Sequence, residues 1–389
     1  PVRQALEERL PGVRVELDLD GLLTYESSRD AAAVRALPFF NNSFLVLKTF
    51  PGLGAERGED VLDEMLAMAL RDGDLAGRLP RQLKGTFRLV TSWSNVLTAV
   101  DRELLEKVEA RIAASGRLRP HRGRPDHELW LSYRSEGHGF LLLRLTRHTA
   151  YEKVLDKGTL RPELAWMLCW LSEPREGELM LDPFCGSGAI PLVRATQFPR
   201  GLVLASDLDA ALVEKLKARV KEGDLKRRVV VRQGDARRLS RYEDGSIHKI
   251  VTDPPWGSFQ ELAEGPETFY REVLAELARV LAPGGLLVIL LARADFLPPL
   301  LATLPALELV ESRPILVSGK KAEIFKLRKS LGAPASRRPA NLVFLKAELV
   351  GRRTPALPGK AGEPGVLMLT PGLGTCSRAC RSGSWCRLR

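Results

Sequence analysis

Residues 178–190 read ELMLDPFCGSGAI, and the fold follows from them. An apolar run that closes on Asp182 has the length of a strand, and Gly186 and Gly188 behind it permit a tight turn into a helix that begins at about Gly188. Strand, glycine turn and helix N-terminus together open a βαβ unit. Moving outward, Leu202–Asp207 is a second strand, followed by a helix through Leu212, Leu216 and Val220. Val229–Arg232 and Ile247–Thr252 are the next strands. A helix then runs from Pro266 to Leu281 and stops at Pro283-Gly284-Gly285. Leu286–Leu291, a short helix near Phe296 and two closing strands near Leu307–Arg313 and Ala322–Leu327 complete the series. The pattern predicts an α/β domain over residues 149–330 with a Rossmann-like, seven-stranded sheet.

The turn itself carries chemistry. Glycines there let a ligand lie against backbone amides at the helix N-terminus. A dinucleotide fingerprint would place a third glycine at 191, where this chain has Pro191. The Asp182 carboxylate would also repel a pyrophosphate, whereas it suits an ammonium group. A strand ending in Asp, then Gly-x-Gly and a helix, implies S-adenosylmethionine, with Asp182, Phe184, Gly186 and Gly188 as candidate contacts. Asp207 ends the second strand, where a carboxylate can accept both ribose hydroxyls, and Asp209 is the fallback. Asp235 follows the third strand, where it could take an adenine amino group while the Ala236 amide meets the ring. Singly, each acid could be a cap or turn residue. Three at successive strand ends point to a cofactor.

The fourth strand ends in Asp253-Pro254-Pro255-Trp256-Gly257. An exocyclic amine on a base is a poor nucleophile because its lone pair is delocalised into the ring. An Asp253 carboxylate and a Pro254 carbonyl accepting its two N–H groups would push the nitrogen toward tetrahedral geometry, with its lone pair aimed at a methyl sulfonium. Pro254 and Pro255 stiffen the segment, and Trp256 offers a face for base stacking. Asp253, Pro254, Pro255 and Trp256 are therefore the candidate catalytic residues.

Net charge is +11, which invites a polyanion without locating it. By segment, residues 1–77 carry −6, 78–148 carry +7, 149–330 carry +2 and 331–389 carry +8. Residues 1–76 read as a small α+β unit, and residues 77–148 as a second one with strands at Thr86–Thr91, Leu129–Tyr133 and Phe140–Leu145 and a helix from Asp101. Between that helix and the next strand lies Gly116–Arg124 (GRLRPHRGR), an exposed basic loop. Arg117, Arg119, Arg122 and Arg124, with Lys84 and Arg88, are the candidate phosphate contacts. Residues 331–389 are rich in Pro, Gly, Ser and Arg and read as a largely disordered basic tail, Asn341–Val350 being its one apolar run. Cys376, Cys380 and Cys386 miss the spacing of a zinc site, and His121, His127, His138 and His148 lack ligand spacing, so no metal is expected. No apolar run approaches the roughly 18 residues of a membrane span. No signal peptide is legible near the start, and the opening Pro1 suggests an incomplete N-terminus.

Residues 150–330, with Asp182–Gly188, Ser206–Asp209, Gly234–Ala236, Asp253–Gly257 and the Pro-Gly-Gly turn, resemble class I S-adenosylmethionine methyltransferases of the amine-modifying branch. The basic unit, with Thr86-Phe87-Arg88 opening a strand and Arg144 near its last one, looks like a THUMP domain behind a ferredoxin-like domain. That order is similar to the tRNA guanosine N2-methyltransferases that carry THUMP domains, and the resemblance covers about 330 residues. Lys157–Pro162 (KGTLRP) resembles the family's linker motif, which implies that Thr159 approaches the methionine end of the cofactor. The resemblance implies transfer of a methyl group to guanosine N2 in tRNA, an RNA-holding N-terminal region, a small zinc-binding activator as a further partner, and a cytoplasmic or nuclear location. Trp256 departs from the family's commoner Phe or Tyr, and Asp-Pro-Pro-Trp also occurs in adenine N6-methyltransferases. Adenine N6, a ribosomal or small nuclear RNA target, and a non-catalytic RNA-binding protein with a decayed methyltransferase fold stay open as alternatives.

Overall fold

The computed structural model describes residues 1–19, 21–54, 58–146, 159–256, 265–292, 295–317, 320–332 and 366–369. They form two compact units, one before Leu155 joined by Val366–Leu369, the other after it. Lys157, Gly158, Gly257, His148, Asn341–Val350 and the three tail cysteines lie outside the described residues.

The N-terminal unit runs α1 (Val2–Arg9), β1 (Arg14–Leu19), β2 (Leu22–Glu26), α2 (Ala31–Arg35), β3 (Asn42–Phe50), α3 (Val61–Arg71), β4 (Gly85–Trp93), β5 (Val96–Leu97), α4 (Arg102–Ala113), β6 (Leu118–Pro120), β7 (His127–Arg134) and β8 (His138–Arg144). Residues 1–76 and 77–148, expected as separate units, share one sheet, because β3 pairs with β8 from Phe44 opposite Arg144 to Phe50 opposite Gly139. One core explains the merger. Leu45, Phe50, Met65 and Leu66 from the first segment pack with Phe87, Val108, Leu131 and Leu143 from the second. Neither half could bury those side chains alone, and burial is the dominant favourable term in folding.

The second unit runs α5 (Pro162–Leu171), β9 (Leu179–Asp182), α6 (Ala189–Gln197), β10 (Leu202–Asp207), α7 (Ala210–Glu222), β11 (Val229–Gln233), β12 (Ile247–Thr252), α8 (Pro266–Val280), β13 (Leu281–Leu291), α9 (Leu297–Ala302), β14 (Leu307–Val317) and β15 (Lys320–Lys329). Its seven strands lie in the order β11-β10-β9-β12-β13-β15-β14. The first five are parallel, and β15 runs antiparallel to both β13 and β14. This is the Rossmann-like sheet that the sequence predicts, and its continuously apolar central strands (Leu286 to Leu291 are at most 2% exposed) suit a sheet covered on both faces. The chain order reverses on either side of β9, which brings the carboxyl ends of β9, β10 and β12 into one row.

The basic tail holds a correction. Val366–Leu369 is a further strand, β16, inserted antiparallel between β2 and β3. Four apolar residues behind Gly365 are too few to show a period, while β2 and β3 provide unpaired backbone groups on both sides for such a segment.

Candidate active site

The site lies along the strand ends of the second unit. Asp182 terminates β9 at 1% exposure, and its Oδ1 accepts from the Phe184 amide (3.2 Å) and the Thr252 hydroxyl (2.8 Å). Its Oδ2 is buried without a partner. An unsatisfied buried carboxylate oxygen is costly, and desolvation, offset in part by those two hydrogen bonds, pushes Asp182 up to about 8. Such an atom calls for a cationic donor from outside the chain.

Beside it the glycine turn adopts left-handed backbone, with φ of 49° at Gly186 and 97° at Gly188, the residue that caps α6. The two serve different ends. A Cβ on Gly186 would meet nothing within 4 Å, which leaves a ligand room, whereas one on Gly188 would stand 2.1 Å from Leu216 Cδ1 and displace that buried side chain. Asp207 at the end of β10 accepts from the Gly186 amide through Oδ2 (2.8 Å) and from the Asp209 amide through Oδ1 (3.0 Å), so it both shapes the turn and faces the row. Asp209 is a cap instead: its Oδ1 accepts from Ala211 and Leu212 at the start of α7. Asp235 is held by the Arg237 guanidinium (2.8 Å between Nη2 and Oδ2), which keeps it below the usual carboxylate range. Ala236 behind it is 3% exposed. Thr159 is half-buried ahead of α5, and no described contact joins it to the strand-end acids.

Asp253 follows β12 directly. It is partly exposed yet closely surrounded by protein, and desolvation pushes it up to about 7 against the hydrogen bond from Trp256. That bond runs from the indole Nε1–H to Asp253 Oδ1 at 2.8 Å, so Trp256 is tied to the carboxylate as well as offering a ring face. Pro254 is buried and Pro255 half-buried. The Pro255 carbonyl accepts from the Tyr270 hydroxyl at 2.9 Å. Tyr270, 3% exposed on α8, stacks on Phe296 with ring centroids 4.8 Å apart, and Phe269 lies 6.0 Å from Phe184. Sequence reasoning missed Thr252 and Tyr270. Thr252 could have been found as the residue that the β9–β12 pairing sets beside Asp182; Tyr270 lies within an ordinary amphipathic helix and gives no local signal.

These features fit S-adenosylmethionine: an orphaned buried oxygen for its ammonium group, an open glycine turn, and Asp207 at the neighbouring strand end. Asp209 drops out of that set because its side chain is already committed to the helix.

The basic loop of the N-terminal unit divides in the same way. Arg117 donates to the carbonyls of Pro80 (2.9 Å) and Ala76 (3.2 Å), and Arg122 pairs with Glu106 at 3.0 Å. Arg88 pairs with Glu128, which also binds Arg144 at 2.7 Å, because the β4–β7–β8 register sets the three side by side. Lys84, Arg119 and Arg124 are exposed, with no ion pair among the described residues.

Residues 149–317 match the RMKL-like methyltransferase domain family. Over 131 residues the chain is 35% identical to the tRNA (guanine(10)-N2)-dimethyltransferase of Methanothermobacter thermautotrophicus, covering 33% of this chain and 38% of that protein. Over 197 residues it is 32% identical to the tRNA (guanine(6)-N2)-methyltransferase of Thermus thermophilus, covering 49% and 57%. The matches thus span less than two thirds of either relative. Among solved structures, TrmN from Thermus thermophilus superposes with a TM-score of 0.67 at 25% identity over 84% of this chain and 95% of that one. With a Rossmann-like sheet and a strand-end row of acids, residues 149–317 have the fold of the methyltransferase domain family that they match, and the chain is similar to tRNA guanine N2-methyltransferases.

Proposed function

We propose that the protein is an S-adenosylmethionine-dependent RNA methyltransferase that modifies guanosine N2 in tRNA. One observation carries the reading: Asp253, with its partner Trp256, stands in the same strand-end row as Asp182 with its unfilled oxygen. An acceptor for an amine and an acceptor for an ammonium group then serve two ligands at one site. The relatives' names favour guanine and tRNA within the class of base amines.

When bound, S-adenosylmethionine supplies an electrophilic methyl group; Asp182, the Gly186 turn and Asp207 would hold it. The chain's own work is on the base. Asp253 accepts one N–H of the exocyclic amine and the Pro254 carbonyl accepts the other, which draws the nitrogen lone pair out of conjugation. Trp256 and its two prolines fix where the base lies. The methylated nitrogen is acidic and gives up a proton, for which the Asp253 carboxylate, raised to about 7, is a matched acceptor. The +7 charge of residues 78–148 supports a role in holding RNA, with Lys84, Arg119 and Arg124 as the phosphate contacts. A target within a stem would be flipped into the pocket at a cost of a few kcal/mol. Whether a small zinc-binding activator assists is tested by its copurification from the source cells.

The deciding experiment incubates the protein with total tRNA and labelled S-adenosylmethionine and resolves the nucleosides by mass spectrometry. N2-methylguanosine is expected. N6-methyladenosine would overturn the guanine assignment, and no labelled nucleoside at all would favour the non-catalytic alternative.

A further inference from the structure

The Asp253–Trp256 segment contains a bond that base stacking does not require. Stacking uses only the face of an aromatic ring, yet here the indole Nε1–H turns back across two prolines to Asp253 Oδ1. The turn is braced from outside by the Tyr270 hydroxyl on the Pro255 carbonyl, and Tyr270 is itself buried against Phe296. An indole N–H is a donor only, so Oδ1 must be an acceptor in this arrangement. The Trp256 indole on Oδ1 is the one side-chain hydrogen bond to the Asp253 carboxylate among the described residues. The two carboxylate oxygens are therefore distinguished before any substrate arrives.

We propose, resting on the base-amine reading above, that Trp256 is a positioning residue whose indole N–H fixes the plane of the Asp253 carboxylate and directs Oδ2 to the substrate amine. A phenyl ring in its place could stack on a base but could not hold the carboxylate. The same bond favours the ionised form of Asp253, opposing the desolvation that raises it. Among the described residues the charge of this carboxylate is felt by two further titratable groups, Asp182 at the end of β9 and the phenol of Tyr270 on α8. Neither of them donates to it. Losing the indole donor should thus move the ionisation of Asp253 to higher pH.

The test compares wild type with Trp256→Phe in two measurements on the full chain. In the first, kcat/KM for tRNA is followed against pH at saturating S-adenosylmethionine. A displacement of the acidic limb by one pH unit would lower the variant's rate at pH 6 by about tenfold beyond any loss at pH 8.5. A uniform loss at every pH, with the limb unmoved, would mean that Trp256 only stacks and would overturn the proposal. In the second, the cofactor-free protein is labelled with 15N-tryptophan, and among its six indole signals the one missing from Trp256→Phe is identified. That signal should move between pH 5 and 8 and shift in both Asp253→Asn and Asp253→Ala; a signal indifferent to pH and to both changes would overturn the proposal. The other five signals report whether each variant is folded. Because the second measurement needs no turnover, a titrating indole in a protein that methylates no RNA would mean that the base-amine reading had failed while the hydrogen bond stood.

Discussion

The acids of the second unit and the arginines of the first make an instructive contrast. Asp182 sits where protein has stripped away water and keeps an oxygen that no group of the chain satisfies among the described residues, while Asp253, partly exposed, is raised by the protein packed around it. Arg117, Arg88 and Arg122 lie in a segment that carries +7, yet the guanidinium of each is engaged by carbonyls or carboxylates of the chain itself. Unspent hydrogen-bonding capacity under desolvation is what marks a binding site, since leaving it unused costs stability that a ligand can restore. A count of charges does not measure that capacity. A guanidinium committed to carbonyls is part of the scaffold, however basic its neighbourhood.

The contrast can be broken experimentally. Its steepest consequence is at Asp253: Asp253→Ala should lower kcat by about a thousandfold while tRNA affinity, measured by filter binding, stays within about twofold. Loss of RNA affinity instead would mean that Asp253 belongs to the scaffold. Next is Asp182→Asn, which would remove the proposed partner of the cofactor's ammonium group and should weaken S-adenosylmethionine binding by about a hundredfold in calorimetry. The same variant has a signature in stability. A carboxyl raised from its ordinary value near 4 to about 8 contributes stability that is fully present below about pH 4 and is lost as pH rises through about 8. The cofactor-free wild type should therefore lose Tm across that window, and Asp182→Asn should flatten the decline; an identical slope in both would place the titration elsewhere.

Smaller effects separate the arginines. Arg119→Ala and Arg124→Ala should each reduce the slope of log K against log salt for tRNA by about one, with Tm unchanged. Arg117→Ala should do the reverse, lowering Tm by a few degrees as two carbonyls lose their donor, while the salt slope stays put. If Arg117→Ala changed the slope and Arg119→Ala the Tm, the division between scaffold and contact drawn from the structure would be wrong.

Sequence alone places the strand-end acids well because parallel strands end at one edge of the sheet, so position along the chain translates into position in space. The glycine turn is legible for a similar reason: only glycine takes the backbone found at 186 and 188 without strain. What escapes is whatever depends on a distant partner. Asp209 and Asp207 stand two residues apart, and only the exact start of α7 shows that Asp209 serves as its cap. Arg117 finds its acceptors at Ala76 and Pro80, far off in sequence. The boundary expected at residue 76 dissolves because β3 needs β8, and β16 goes unnoticed because its pairing partners lie near the opposite end of the chain.

The raised carboxyl of Asp182 has a thermodynamic consequence for the whole protein. Raised to about 8, this group is largely in its acid form at neutral pH, and an ammonium group bound there as proposed would favour the anion and expel a proton into solution. The heat of binding should accordingly depend on the ionisation enthalpy of the buffer, and up to one proton should appear for each S-adenosylmethionine taken up. Cofactor affinity would then climb with pH until Asp182 is already charged, which couples the protein's loading state to the acidity of its surroundings before any RNA is engaged.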